Sequence, residues 1–118
     1  MTTISTDLPD LKAAIESRDA EAVSAWYAHD AVLTIVDRDH PPADPTVYRG
    51  REEIGSYFAI ICGRNIQHAV DNLIATEDGL AYTQRCRYPE GAGVVCNAVA
   101  HLTDGRISTQ TVVQAWDA

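Results

Sequence analysis

The sequence predicts an α+β domain, helices first and a hairpin-rich antiparallel sheet after, shaped to enclose a pocket. Apolar residues recur at helical spacing as far as Ile61, and from Ile66 onward the period changes to two. The later runs are separated by short breaks, among them Asp104-Gly105, and Asp-Gly between alternating segments is a strong hairpin signal.

The first helix is expected to begin around Thr6 or Asp7, either of which can cap the free amides, with Pro9 tolerated in the first turn. Leu8, Leu11 and Ile15 follow at helical spacing. Asp19 reads as a turn residue and a second cap, after which Ala22, Val23 and Trp26 form a short apolar face. Ala31 to Val36 is a β-branched run and predicts a strand. Positions 37–45 hold three prolines and read as a loop. Gly50 then precedes Arg51-Glu52-Glu53, whose acids suit a helix N-terminus. Ile54, Tyr57, Phe58 and Ile61 repeat at i, i+3, i+4 and i+7, so a third helix with one buried face is predicted.

The runs 66–76, 80–88, 94–103 and 106–116 predict four strands. Their connections are Glu77-Asp78-Gly79, 89–93 and Asp104-Gly105. Strands joined so tightly must be antiparallel neighbours, because parallel neighbours need long crossovers. A four-to-five-stranded sheet closed by three helices follows, in one domain spanning 1–118.

A chain of 118 residues can bury one core. Its net charge of −8 and scattered basic residues exclude a phosphate-binding stripe, so no nucleic-acid partner is expected. No apolar run approaches membrane-spanning length, and MTTISTDLPD lacks the basic-then-apolar pattern of a signal peptide. Three cysteines without a C-x-x-C pair suit a reduced compartment, which places the protein in the cytoplasm.

Three motifs, in order along nearly the whole chain, resemble the nuclear-transport-factor-2-like (NTF2-like) superfamily, in its SnoaL-like and ketosteroid-isomerase-like branch. They are 18–23 with Trp26-Tyr27-Ala28-His29-Asp30-Ala31-Val32, then 48–54 with Tyr57-Phe58, and the ending 101–107. The resemblance implies a cone, with a strongly curved sheet wrapped around the helices and a ligand-sized cavity at one end. Such cones host isomerases, dehydratases, cyclases and epoxide hydrolases, and also non-catalytic modules, so fold does not settle function.

The isomerase pattern asks for a carboxylate base on the first strand, a Tyr on the first helix and a protonated Asp on a late strand. This chain sets Ile35, Leu11 and Val99 near those places, with Asp37 two residues beyond Ile35. The epoxide-hydrolase pattern needs acids flanking an arginine, and Arg85 and Arg87 have none two residues away on their strand. A single Asp or His in an apolar pocket would serve a cyclase or dehydratase.

Period-two alternation groups Tyr82, Gln84, Cys86 and Tyr88; Asn97, Val99 and His101; Gln110, Val112, Gln114 and Trp116; and His68, Val70 and Asn72. The resemblance makes these the concave faces, although a one-residue bulge inverts any of them. Asp37 is the first candidate for a general base, against the plainer reading of a solvated loop acid. His68 and His101 are candidates for proton transfer, against ordinary hydrogen bonding across the sheet. Trp26, Tyr57, Tyr82, Gln84, Asn97, Gln110, Gln114 and Trp116 are the expected ligand contacts, and inward amides would need partners that a polar ligand supplies. Asp37, Asp39, His40 and Asp44 lack the bracing of a hard-metal loop, so no metal is expected, and no cofactor. Cys86 reads as packing.

Two functions stand. One is a small enzyme working on a partly apolar small molecule by cofactor-free acid/base chemistry. The other is a non-catalytic ligand-binding or dimerisation module. Val113, Ala115 and Ile107 are expected on the outer sheet face, which predicts a homodimer.

Overall fold

Asp10 opens the first helix: its side chain accepts a hydrogen bond from the Ala13 amide at 3.1 Å, and α1 runs Leu11–Glu16. The structure, a computed structural model, describes residues 10–117, so the expected start at Thr6 or Asp7 and the position of Pro9 lie outside the described residues. Asp19 caps α2, Ala20–Ser24, in the same way through the Ala22 amide. Arg51 and Arg106 donate to the carbonyls of Ser24 and Ala25, which satisfies the end of α2.

Six strands form one sheet in the order β2-β1-β6-β5-β4-β3. They are β1 Tyr27–Val36, β2 Thr46–Arg49, β3 Gln67–Ala75, β4 Gly79–Arg87, β5 Gly93–Thr103 and β6 Arg106–Trp116. The meander β3 to β6 is antiparallel throughout, whereas β1 pairs in parallel with β6, Leu33 opposite Gln110 and Ile35 opposite Val112. The sheet therefore has one strand more than the sequence suggests. β2 is only four residues long and follows Pro45, too short for alternation to show.

Helix α3, Arg51–Gly63, follows Gly50, whose φ of 87° needs a residue without Cβ. The β5–β6 hairpin turns on Asp104 and Gly105 with φ of 52° and 78°, the doubly left-handed geometry that favours this dipeptide. Edge strand β3 is covered by α1: Lys12 donates to the Val70 carbonyl and Glu16 accepts from the Val70 amide.

Besides a register shift between Tyr27 and Val32 where β1 meets β6, two bulges in the β3–β6 meander curve the sheet and reset its alternation. One lies between Asp71 and Ile74 and turns Asn72, at φ 58°, to the outer face, where it donates to Thr83. The other inserts a residue between Ile107 and Thr109, opposite Leu102 and His101. Ile107 consequently points into the core at 0% exposure, not outward as its spacing from Val113 suggests.

Candidate functional site

Opposed residues on neighbouring strands share a face, so the register writes out the concave surface row by row. The first row is His68, Cys86, Val94 and Trp116; the second is Val70, Gln84, Cys96 and Gln114. Tyr82, Ala98 and Val112 form the third. Tyr57, Phe58 and Ile61 of α3 close over these rows, with Leu33 and Ile35 of β1 at the side. Between them lies a cavity of about 70 Å³. Cys96 and Ala98 leave that space because they are small. Only Ile54 of α3 is fully buried, because the Tyr57–Phe58–Ile61 face covers the cavity instead of packed side chains.

The amides that line the cavity are bonded within the protein. Tyr27 donates its hydroxyl hydrogen to Gln110 Oε1, and Gln110 Nε2 donates to Tyr82 Oη at 3.2 Å. Trp116 Nε1 donates to Gln114 Oε1 at 3.0 Å. Gln84 Nε2 lies 3.1 Å from His68 Nδ1 and 3.5 Å from Cys86 Sγ. Burial raises the Tyr27 and Tyr57 hydroxyls above the ordinary phenol value and pushes Tyr82 up to about 12, so all three stay protonated. Tyr82 accepts from Gln110, which leaves its own hydroxyl hydrogen uncommitted in that bond.

His68 and two thiols form the titratable centre. His68 Nδ1 is 3.3 Å from Cys86 Sγ, and Cys96 neighbours Cys86 diagonally across β4 and β5. Cys86 is drawn below the ordinary thiol value, first by a hydrogen bond from Cys96; burial opposes this, and His68 and Gln84 add to the lowering. Cys96, the donor of that bond, is pushed up. His68 Nε2 is buried and has no hydrogen-bond partner among the described residues. Among the described residues no cluster of three or more His, Cys, Asp or Glu is arranged to hold a metal ion.

A family model described as the SnoaL-like domain matches residues 10–110. The chain belongs to the SnoaL-like family. Solved structures share the fold, an NTF2-like cone. An NTF2-like protein from Mesorhizobium loti is 16% identical over 89% of this chain and 84% of its own, with a TM-score of 0.78. One from Cytophaga hutchinsonii is 20% identical, covering 87% and 91% at a TM-score of 0.69. A Kribbella flavida protein provisionally named a ketosteroid isomerase is 18% identical, covering 92% and 73% at a TM-score of 0.74. No curated protein matches the sequence.

Within this SnoaL-like cone the expected residues divide. Tyr57, His68, Tyr82, Gln84, Gln110, Gln114 and Trp116 line the cavity. Asn97 and His101 do not: β5 faces inward with Val94, Cys96, Ala98 and Ala100, and Asn97 instead accepts from Thr83 on the outer face. Val99 is likewise outside at 58% exposure, so it does not occupy the late-strand acid position, and no carboxylate replaces it on the inner face of β5. Trp26 lies in the core and does not line the cavity; the strand starts at Tyr27, and it is Tyr27 that lines it.

Asp37 is also outside the lining. β1 ends at Val36, and the chain turns so that Asp37 bridges His40. Its carboxylate accepts from His40 Nδ1 and the Asp39 amide, both at 2.9 Å. Partial burial raises the Asp37 pKa, but these hydrogen bonds outweigh it and the net shift is downward, the wrong direction for a base working near neutrality. Sequence reasoning missed Tyr27 and the Cys86–Cys96 pair. Both were signalled by alternation once the bulges and the register of β5 are in place.

Proposed function

We propose that the cone cavity binds a small, partly apolar molecule carrying an oxygen acceptor, and that His68 performs cofactor-free acid/base chemistry on it. The observation that carries this reading is the buried, unpartnered Nε2 of His68 in the cavity wall. A buried polar atom without a partner is costly, and a ligand oxygen hydrogen-bonded there offsets that cost. Tyr82 supplies a second donor, polarised by the chain that runs back through Gln110 to Tyr27. The apolar walls fit the rest of such a molecule.

Cyclohexanone in heavy water tests both halves. Shifts of the Tyr82, Gln84 and Gln114 backbone amide resonances report binding, and hydrogen exchange alpha to the carbonyl reports acid/base catalysis. Exchange should accelerate with the protein and fall by about a hundredfold or more in His68→Gln, the usual range for losing a general acid or base. Binding without exchange supports the non-catalytic module, a reading favoured by the placement of Asp37 and His101 outside the cavity. Neither binding nor exchange overturns both.

We also propose that two copies pair through the outer face, where Val99 and Val113 are 58% and 51% exposed on adjacent strands. Among the described residues no helix is long and apolar enough to cross a membrane. Three free thiols suit a reducing setting, and the cytoplasm is the proposed location.

A further inference from the structure

Cys86 has two close polar neighbours. Its sulfur stands in the cavity wall within 3.3 Å of an imidazole nitrogen and 3.5 Å of an amide nitrogen. We propose that Cys86 is a nucleophilic site, with His68 as its base, that reversibly captures α,β-unsaturated carbonyl compounds in the cone cavity. The proposal rests on the cavity's being a ligand site, as above, but assigns it a reactive atom and an electrophile class.

The choice of electrophile follows from the surroundings. Acyl transfer at Cys86 would build an oxyanion next to the sulfur, which needs donors there. Cys86 lies within a paired strand, where the neighbouring backbone N–H groups are committed to the β3–β4–β5 ladders. Conjugate addition avoids this demand, since the negative charge develops on an oxygen several bonds away. Gln114 lies in the adjacent row; its carbonyl is held by Trp116, which leaves its NH2 group as a donor for such an oxygen. A soft, polarisable sulfur also suits a polarisable alkene carbon.

The step balances without a further reactant. His68 Nδ1 takes the proton from Cys86 Sγ, and a sulfur lone pair forms the S–C bond to the β-carbon. The alkene π pair moves toward the carbonyl as an enolate. The proton on Nδ1 then passes to the α-carbon, giving a saturated thioether, and the reverse sequence releases the ligand. In the neutral state Gln84 Nε2 donates to the unprotonated Nδ1; in the ionised state Nδ1–H donates to the thiolate and Gln84 Nε2 turns its hydrogen to the same sulfur. The titratable groups facing Cys86 are His68 from β3, Tyr82 from its own strand, Cys96 from β5, Tyr57 from α3 and Tyr88 beyond β4; among the described residues no Asp, Glu, Lys or Arg lines the cavity.

Timed alkylation of the reduced protein with N-ethylmaleimide, followed by peptide mapping, tests this, with Cys62 on α3 as the internal control. Burial raises the Cys62 pKa, whereas Cys86 is lowered. At pH 6.5 Cys86 should react about three- to tenfold faster, the gain in thiolate fraction being partly offset by the weaker nucleophilicity of a more acidic thiol. Its rate should be nearly flat to pH 8, while that of Cys62 climbs about tenfold per pH unit, as expected for a thiol below its pKa. His68→Gln should slow Cys86 and restore the steep pH slope. Cyclohex-2-enone should add one equivalent to the wild type and none to Cys86→Ser. Equal pH slopes at Cys62 and Cys86, faster labelling of Cys62, or an enone adduct that persists in Cys86→Ser overturns the proposal. Cyclohexanone binding to the wild type separates the two readings, because a wild type that binds the ketone while its Cys86 fails these labelling tests sinks the nucleophile alone. If His68→Gln fails to fold, the wild-type pH profile still decides.

Discussion

Tyr27 and Gln110, on parallel neighbours β1 and β6, are locked together in the core: the Tyr27 hydroxyl donates to the Gln110 side-chain carbonyl. Gln110 is itself buried, at 2% exposure, and its amide passes the interaction on to Tyr82. Tyr27→Phe strands a buried acceptor and should cost about 1–3 kcal/mol in urea unfolding. Gln110→Leu strands the Tyr27 hydroxyl at similar cost. The double variant should lose clearly less than the sum, because no orphaned partner of this bond remains. Additive losses would show that the bond contributes no coupling.

Asp37 should be dispensable for anything the cavity does. Asp37→Asn is expected to leave cyclohexanone binding and exchange within about twofold of the wild type, since distant sites couple weakly. Its signature is in acid stability. A folded-state pKa below the unfolded one contributes stability that is full above the unfolded value, about 4, and is lost as pH falls through the folded value. The advantage of the wild type over Asp37→Asn should therefore shrink as pH falls below about 4. A tenfold loss of ketone exchange in Asp37→Asn would restore Asp37 as the base.

The meander was legible because local chemistry fixed it: Asp104-Gly105 could hardly turn any other way, and the strand limits follow from alternation. The inner face of the sheet was harder to read. Asn97 and His101 alternate with Cys96, Ala98, Ala100 and Leu102, an ordinary polar-out pattern, but family likeness drew the polar set inward. Ile107 and Asn72 changed sides through bulges, which depend on pairing between distant strands and leave little local trace. Cys86 and His68 are 18 positions apart, and their contact exists only in the register of β3 against β4.

Ala98 sits in the floor of the cavity opposite Tyr82, and its small size is part of what keeps the space open. Ala98→Leu should fill that space. Overpacking a full core costs about 1–3 kcal/mol, but here the added carbons enter a void, so stability should change by less than about 1 kcal/mol. Cyclohexanone binding should weaken by about tenfold or more, the equivalent of 1.4 kcal/mol. A stable Ala98→Leu variant that binds cyclohexanone unchanged would move the ligand site out of the cone.

Val99 and Val113 place two exposed apolar side chains on adjacent outer-face strands, beside Val95 and Ala115. Putting a charge there costs little in a monomer, because a solvated surface substitution usually changes stability by less than about 0.5 kcal/mol. In a dimer buried through this face the same carboxylate would be desolvated without a partner, a penalty of several kcal/mol that the interface could not absorb. Val99→Asp should therefore shift the mass measured by light scattering from two chains to one, with the urea midpoint of the separated chain near that of other monomeric surface variants. A wild type that is monomeric at all concentrations, or a Val99→Asp that remains dimeric, would show that the outer face is not where copies meet.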